Sequence, residues 1–180
     1  MKNIFLIGTG LIGGSMLMDL RRHYPEAVLY GIDKDQLHAQ KAKENGIIDQ
    51  IAKLEDLKIA DLVIVSIPVD ATLKVLPQVL DVILENVLVI DVGSTKGAIC
   101  DGVATHKNRS QFLAAHPIAG TEFSGPDAAI ANLFVKKTII VCEVEKTSSK
   151  LQEIAKLIFD HLGMRVRYMT PAAHDRHIAY

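Results

Sequence analysis

Between residues 116 and 125 the chain reads His-Pro-Ile-Ala-Gly-Thr-Glu-Phe-Ser-Gly, placing a base, a carboxylate and two hydroxyls within ten positions. Histidine is the side chain whose ordinary pKa lets it accept a proton near neutrality. Pro117 fixes its own φ and biases His116 toward extended backbone, so the imidazole leaves the chain from a defined position. Gly120 and Gly125 permit tight turns or the close approach of a second molecule. A base held beside a hydride acceptor is the equipment for oxidising an alcohol: the base takes the hydroxyl proton and the acceptor takes the hydride. Without such an acceptor the same ten residues make an ordinary surface loop.

The acceptor half of the argument lies at the N-terminus. Residues 3–7 read as a short buried strand, and Gly8, Thr9, Gly10, Leu11, Ile12 and Gly13 follow at once. From Leu11 the pattern Leu11, Ile12, Ser15, Leu17 and Leu20 fits a helix with one buried face. Strand, glycine-rich turn and helix are the context that a dinucleotide-binding fingerprint requires. In that motif Gly8 makes the turn, Gly10 admits the pyrophosphate and Gly13 lets helix and strand pack closely. The helix N-terminus offers N–H donors and a positive dipole end to the phosphates. A second strand over residues 28–32 ends at Asp33, twenty positions beyond Gly13. A carboxylate there is placed to accept both ribose hydroxyls of NAD and to repel the 2′-phosphate of NADP, a preference tempered by Lys34. Asp33 also suits the N-cap of a helix starting near Asp35, and the two roles are compatible.

Composition sets the frame. The 180 residues are 49% hydrophobic and 23% charged with a net charge of −1, values of a compact soluble domain. No basic run is long enough to track a phosphate backbone, which argues against a nucleic-acid partner. No apolar stretch reaches membrane-spanning length, and no charged-then-apolar leader precedes the first strand. Cys100 and Cys142 lack metal-ligand or redox spacing, so they read as buried thiols of a reducing compartment, and the expected location is cytoplasmic.

The elements that must position these residues alternate along the chain. Residues 62–67 and 87–92 are β-branched runs suited to parallel strands buried on both faces. Between them residues 70–84 carry leucines at helical spacing, with Pro77 a kink or break. Further strands are expected over 111–114, 138–142 and 164–168, and a helix over 148–162 ended by Gly163. The pattern predicts an α/β fold, a doubly wound, mainly parallel sheet of Rossmann type with right-handed crossovers. In such sheets ligands lie beyond the carboxyl ends of the strands. There the sequence places residues 8–13, Asp33, Ser66, Ile67 and Pro68, residues 93–96 and residues 116–125. Ser94 is either the N-cap of the helix begun by Thr95, Lys96 and Gly97 or a hydroxyl that bonds the substrate or orients His116.

Taken together, these segments resemble the prephenate dehydrogenases and the related arogenate dehydrogenases. The resemblance runs from the Gly-Thr-Gly-Leu-Ile-Gly-Gly opening, through residues 91–96 and the decapeptide at 116–125, to His174, Asp175 and Arg176. It implies NAD-dependent oxidation and decarboxylation of prephenate to 4-hydroxyphenylpyruvate, on the route to tyrosine. It implies further that His116 accepts the C4 hydroxyl proton, that Ser94 contacts both this histidine and the substrate, and that Thr121 and Glu122 line the substrate pocket. Loss of carbon dioxide from C1 restores aromaticity, so the protein needs orientation and one base, and no metal.

Such proteins continue into a helical dimerisation domain that completes the substrate site. The expected division is therefore a dinucleotide-binding domain over 1–169 and the start of a truncated helical domain over 170–180. Thr170 and Pro171 read as N-cap and N1 of its first helix, with Ile178 and Tyr180 left without packing partners. The other histidines carry no assigned chemistry. His174 and His177 read as a polar helix face, His23 and His161 as helix C-terminal residues, and His38 and His106 as solvated. Arogenate dehydrogenase is the nearest rival reading. A non-catalytic NAD-binding regulatory module would not need the base, and a hydroxyacid dehydrogenase of similar fold would leave His116 without a role.

Overall fold

A computed structural model describes residues 1–179. In chain order the regular elements are β1 (Asn3–Ile7), α1 (Leu11–His23), β2 (Val28–Ile32), α2 (Gln36–Glu44), β3 (Gln50–Ile51), β4 (Leu62–Val65), α3 (Val69–Val82), β5 (Leu88–Asp91), α4 (Gly97–Val103), β6 (Phe112–Pro117), β7 (Thr138–Cys142), α5 (Ser149–His161), β8 (Arg165–Met169) and α6 (Pro171–Ile178). The strands form one sheet in the order β3-β2-β1-β4-β5-β6-β7-β8. The strand order through β6 is that of a doubly wound dinucleotide-binding sheet. The β6–β7 pairing is antiparallel, with His116 opposite Ile140 and Pro117 opposite Ile139. All other pairings are parallel.

The period-two alternation of the strands divides the core into two layers. Ile4 and Leu6 of β1 face a cluster with Leu17 and Leu20 of α1 and Leu151 and Ile158 of α5. Phe5 and Ile7 face the opposite cluster, with Leu76 and Leu80 of α3 and Ile99 and Val103 of α4. Central strands buried on both faces explain the near-continuous apolar runs at residues 62–65 and 88–90. Both cysteines are buried in the second cluster. Burial pushes the Cys100 thiol up to about 12 and that of Cys142 up to about 11, so neither is a reactive thiolate.

Several expectations change. Pro77 lies inside α3 without ending it. The short edge strand β3 has both residues exposed and no apolar alternation to announce it. The N-cap of α2 is Asp35, whose carboxylate accepts the N–H groups of Leu37 and His38, so Asp33 is freed from that role. His106 is not solvated: its ring contacts Asp81 at 3.2 Å and accepts the Asn108 N–H at 3.0 Å. His23 and His161 stack face to face with centroids 4.0 Å apart, joining the C-terminal ends of α1 and α5. Thr170 and Pro171 do start α6, with the Thr170 hydroxyl accepting the Ala173 N–H at 3.2 Å. Ile178 is exposed, and Tyr180 lies outside the described residues. No helix among the described residues is long and apolar enough to cross a membrane.

Candidate active site

The turn from β1 into α1 is shaped by glycine where nothing else fits. Gly8 has φ +92°, and any Cβ there would run into the Ser66 carbonyl. A Cβ on Gly13 would strike Leu6 and lie 2.9 Å from the Gly8 carbonyl. Gly10 differs: a Cβ built on it meets nothing within 4 Å, because it faces an open cleft. Gly10 is also the N-cap of α1 and provides no side-chain cap, so the first-turn N–H groups are left for an anionic ligand.

That cleft has a volume of about 560 Å³ and lies beyond the carboxyl ends of β1, β2 and β4. Gly8, Gly10, Asp33, Ser66, Ile67 and Pro68 line it, as the sequence predicts. Thr9 is fully buried beneath it, Leu11 and Gly13 are buried in the helix packing, and Ile12 is part-buried. Lys34, His38, Ser124 and Gly125 also line it, with Ile7, Ile32, Leu54, Ala71 and Val75 as its apolar wall, and of these only Lys34 entered the sequence reading of the cofactor. Ser124 and Gly125 bring the far end of the histidine loop over the nucleotide cleft.

Asp33 departs from expectation in one respect. Its Oδ2 accepts both the N–H and the hydroxyl of Thr9, at 2.9 and 2.8 Å, and its Oδ1 accepts the Asp35 N–H at 2.9 Å. A carboxylate offers about four lone-pair sites, so roughly one remains for a ligand. Asp33 has acceptor capacity for one ribose hydroxyl rather than two.

His116 is half-buried near the end of β6. Its Nδ1 lies 2.9 Å from His174 Nε2, and His174 Nδ1 lies 2.7 Å from Asp175 Oδ1. His174 is fully buried, which overturns its reading as a polar helix face. His177 of the same helix is exposed. Asp175 also clasps the start of α4: its Oδ1 accepts the Lys96 N–H and its Oδ2 the Gly97 N–H, each at 2.8 Å. The N-terminus of α4 is therefore capped from 78 residues away along the chain, not by Ser94.

Burial pushes the His116 pKa down to about 4, helped by the neighbouring His174 and Lys96 and opposed by Asp175. Burial raises the Asp175 carboxyl, but hydrogen bonds from His174 and from the Lys96 and Gly97 N–H groups outweigh it and hold Asp175 below the usual carboxylate value.

Behind His116 sits a fully buried ion pair. Lys96 Nζ donates to Asp91 Oδ2 and, at 2.7 Å, to the carbonyl of Ala115. Asp91 in turn accepts the Gly93 N–H at 3.0 Å. The residue that presents the base is thus backed by a fixed charge pair.

Ser94 is exposed and makes no hydrogen bond among the described residues, to His116 or otherwise. Thr121 and Glu122 are exposed on the loop, where the Thr121 hydroxyl accepts the Phe123 N–H at 3.2 Å. The residues expected to hold a cofactor from the turn, β2 and the end of β4 thus share one cleft, His116 joins His174 and Asp175, and among the described residues Ser94, Thr121 and Glu122 make no hydrogen bond to His116. The segments holding Asp91, Lys96, His174 and Asp175 carry the family resemblance, but sequence reasoning assigned none of the four a role at the site.

Residues 17–168 match the family model for the nucleotide-binding domain of prephenate dehydrogenase. The chain belongs to that family. It is 34% identical over 176 residues to a prephenate dehydrogenase of Bacillus subtilis, covering 96% of this chain and 47% of that protein. Among solved structures, prephenate dehydrogenase from Aquifex aeolicus in complex with hydroxyphenyl propionate and NAD+ superposes with a TM-score of 0.88 at 33% identity, over 97% of this chain and 62% of that one. Synechocystis arogenate dehydrogenase gives 0.88 at 31% identity, over 99% and 63%. The chain spans about half the length of the Bacillus protein. His116, Ser94, Lys96 and Asp91 lie inside the matched family span, whereas the glycine turn and the His174–Asp175 pair flank it.

Proposed function

We propose that this chain is the cofactor-binding part of an NAD-dependent dehydrogenase that oxidises and decarboxylates prephenate to 4-hydroxyphenylpyruvate. The observation that carries the reading is a part-buried histidine kept neutral, its pKa pushed down to about 4, in a nucleotide-binding domain of this family. A neutral imidazole is what a general base must be before the reaction. The cleft fits the cofactor: Gly10 leaves its mouth open, uncapped N–H groups of α1 face the pyrophosphate, and Asp33 takes a ribose hydroxyl. The carboxylate of Asp33 favours NAD over NADP.

When bound, NAD+ supplies the hydride acceptor. His116 removes the proton of the C4 hydroxyl as hydride leaves C4, and loss of carbon dioxide from C1 completes the aromatic ring. Ser94 and Glu122, without a hydrogen-bond partner among the described residues, and the exposed Thr121 are left to contact substrate. Arogenate is a second substrate reading, supported by the fit to the Synechocystis arogenate dehydrogenase. We place the domain boundary at residue 169, with α6 opening a helical domain that pairs two subunits in the whole cytoplasmic enzyme.

The test is NADH production by the full-length protein with prephenate and with arogenate. The variant His116→Asn keeps hydrogen bonding and similar size but lacks the base. Its turnover should fall about 10²–10⁴-fold with NAD affinity unchanged, and Ser94→Ala should lose less. Near-normal turnover by His116→Asn would remove the assignment.

A further inference from the structure

The His116–His174–Asp175 chain has a directional logic that extends the functional reading and rests on it. Asp175 is pinned by two backbone N–H groups, those of Lys96 and Gly97, which can only donate. Its carboxyl is held below the usual carboxylate value, so it is ionised at neutral pH and can only accept. The contact of His174 Nδ1 with Asp175 Oδ1 at 2.7 Å therefore requires a hydrogen on Nδ1. With Nδ1 protonated, a neutral His174 has its lone pair on Nε2. His174 Nε2 faces His116 Nδ1 at 2.9 Å, so that nitrogen of His116 must be the donor. The remaining lone pair of His116 is then on Nε2. The reverse arrangement would set a lone pair of His174 Nδ1 against the carboxylate at hydrogen-bond distance, a repulsive contact in a fully buried ring.

We propose that Asp175 and His174 are positioning residues that fix His116 in the Nδ1-protonated tautomer, making its Nε2 the atom that accepts the substrate proton. One proton moves in this step, from the substrate hydroxyl to Nε2, giving an imidazolium whose Nδ1–H still donates to His174. Positive charge created on His116 then faces a line of acceptors ending in a carboxylate. No water takes over the inner nitrogen, because His174 is fully buried against it. Asp175, which ends this chain of hydrogen bonds, also caps α4, so the start of the helix after β8 is part of the working site.

The test reads the tautomer directly. The 180-residue chain, labelled with ¹⁵N in its histidine rings, is observed near neutral pH by two-bond proton–nitrogen correlation. In the wild-type chain His116 Nδ1 should show the shift of a protonated nitrogen and Nε2 that of a bare one. In His174→Leu the separation between the two shifts should collapse by more than half, as the ring divides between tautomers. In His174→Gln, whose side-chain oxygen can accept from Nδ1, the separation should be kept. A wild-type His116 protonated on Nε2 overturns the proposal even if no variant folds. So does an unchanged His174→Leu spectrum. Because no turnover is measured, loss of the base assignment by His116→Asn kinetics and loss of this proposal are separate outcomes.

Discussion

Replacing Lys96 with methionine isolates the buried charge pair. Both Lys96 and Asp91 are fully buried, and each has further partners, the Ala115 carbonyl and the Gly93 N–H. Methionine fills much of the same volume but leaves the Asp91 carboxylate uncompensated in the core. Removing one partner of such a pair typically costs about 3–5 kcal/mol. For a domain of this size each kcal/mol moves the midpoint of thermal unfolding by roughly 2–4 °C, so a fall of about 6–20 °C is expected. The pH dependence carries the sharper test. Burial already raises the Asp91 carboxyl above its ordinary value against the pull of Lys96, and without Lys96 the rise must grow. The folded variant then holds its proton more tightly than the unfolded chain. Its stability is greatest below the unfolded carboxylate value of about 4 and is lost as pH rises through the folded one. Urea unfolding from about pH 5 to 8 should therefore show the deficit of Lys96→Met widening with pH. Adding Asp91→Asn, which keeps an acceptor for Gly93 and removes the charge, should recover part of the loss and flatten the dependence. A deficit below about 1 kcal/mol, or one that does not change with pH, would refute the reasoning.

The remaining expectations separate binding from folding. Gly10→Val should leave the unfolding midpoint within a few degrees yet weaken NAD binding at least tenfold by calorimetry, since its Cβ meets only the open cleft. Gly8→Ala, at φ +92° and against the Ser66 carbonyl, should instead lower stability by about 1–3 kcal/mol before binding is considered. Titration of the His116 ring by NMR should give a midpoint near 4, and a value above 6 would contradict a half-buried, desolvated ring. Because the unfolded ring titrates near 6.5 and the folded one near 4, the unfolded chain binds the extra proton between them. The stability due to neutral His116 is thus full above about 6.5 and lost as pH falls toward 4, which the urea midpoint will report. Burial and His23 lower His161 as well, which adds in the same direction.

What the sequence made legible was local. The strand, glycine turn and helix over residues 3–23 announce themselves because Gly8 and Gly13 answer contacts made within the turn or by the chain just past β4. The start of α6 at Thr170 and Pro171 is equally local, one hydroxyl and one missing N–H. Periodicity placed β1, β2 and β7 to the residue, since each is a short apolar run between breakers. The antiparallel direction of β7 had no comparable signal, because a buried strand has the same apolar run in either direction. The exposed two-residue β3 had too little pattern to be seen.

The working end of the site was hidden for a different reason. Ser94 looks like an N-cap, but α4 begins three residues later because Lys96 turns inward to Asp91 and Asp175 supplies the capping oxygens. A helix-start rule reads hydroxyls next in sequence and has no means of seeing a carboxylate brought from α6. His174 escaped for the same cause: its exposure is decided by the packing of α6 against α4 and β7, not by its spacing from His177. The consequence is functional. A base whose tautomer is set from a helix 58 residues further along the chain depends on that helix being seated. Any force on α6 from chain beyond it would act on the His116 proton acceptor through two hydrogen bonds, and on the α4 cap through two more.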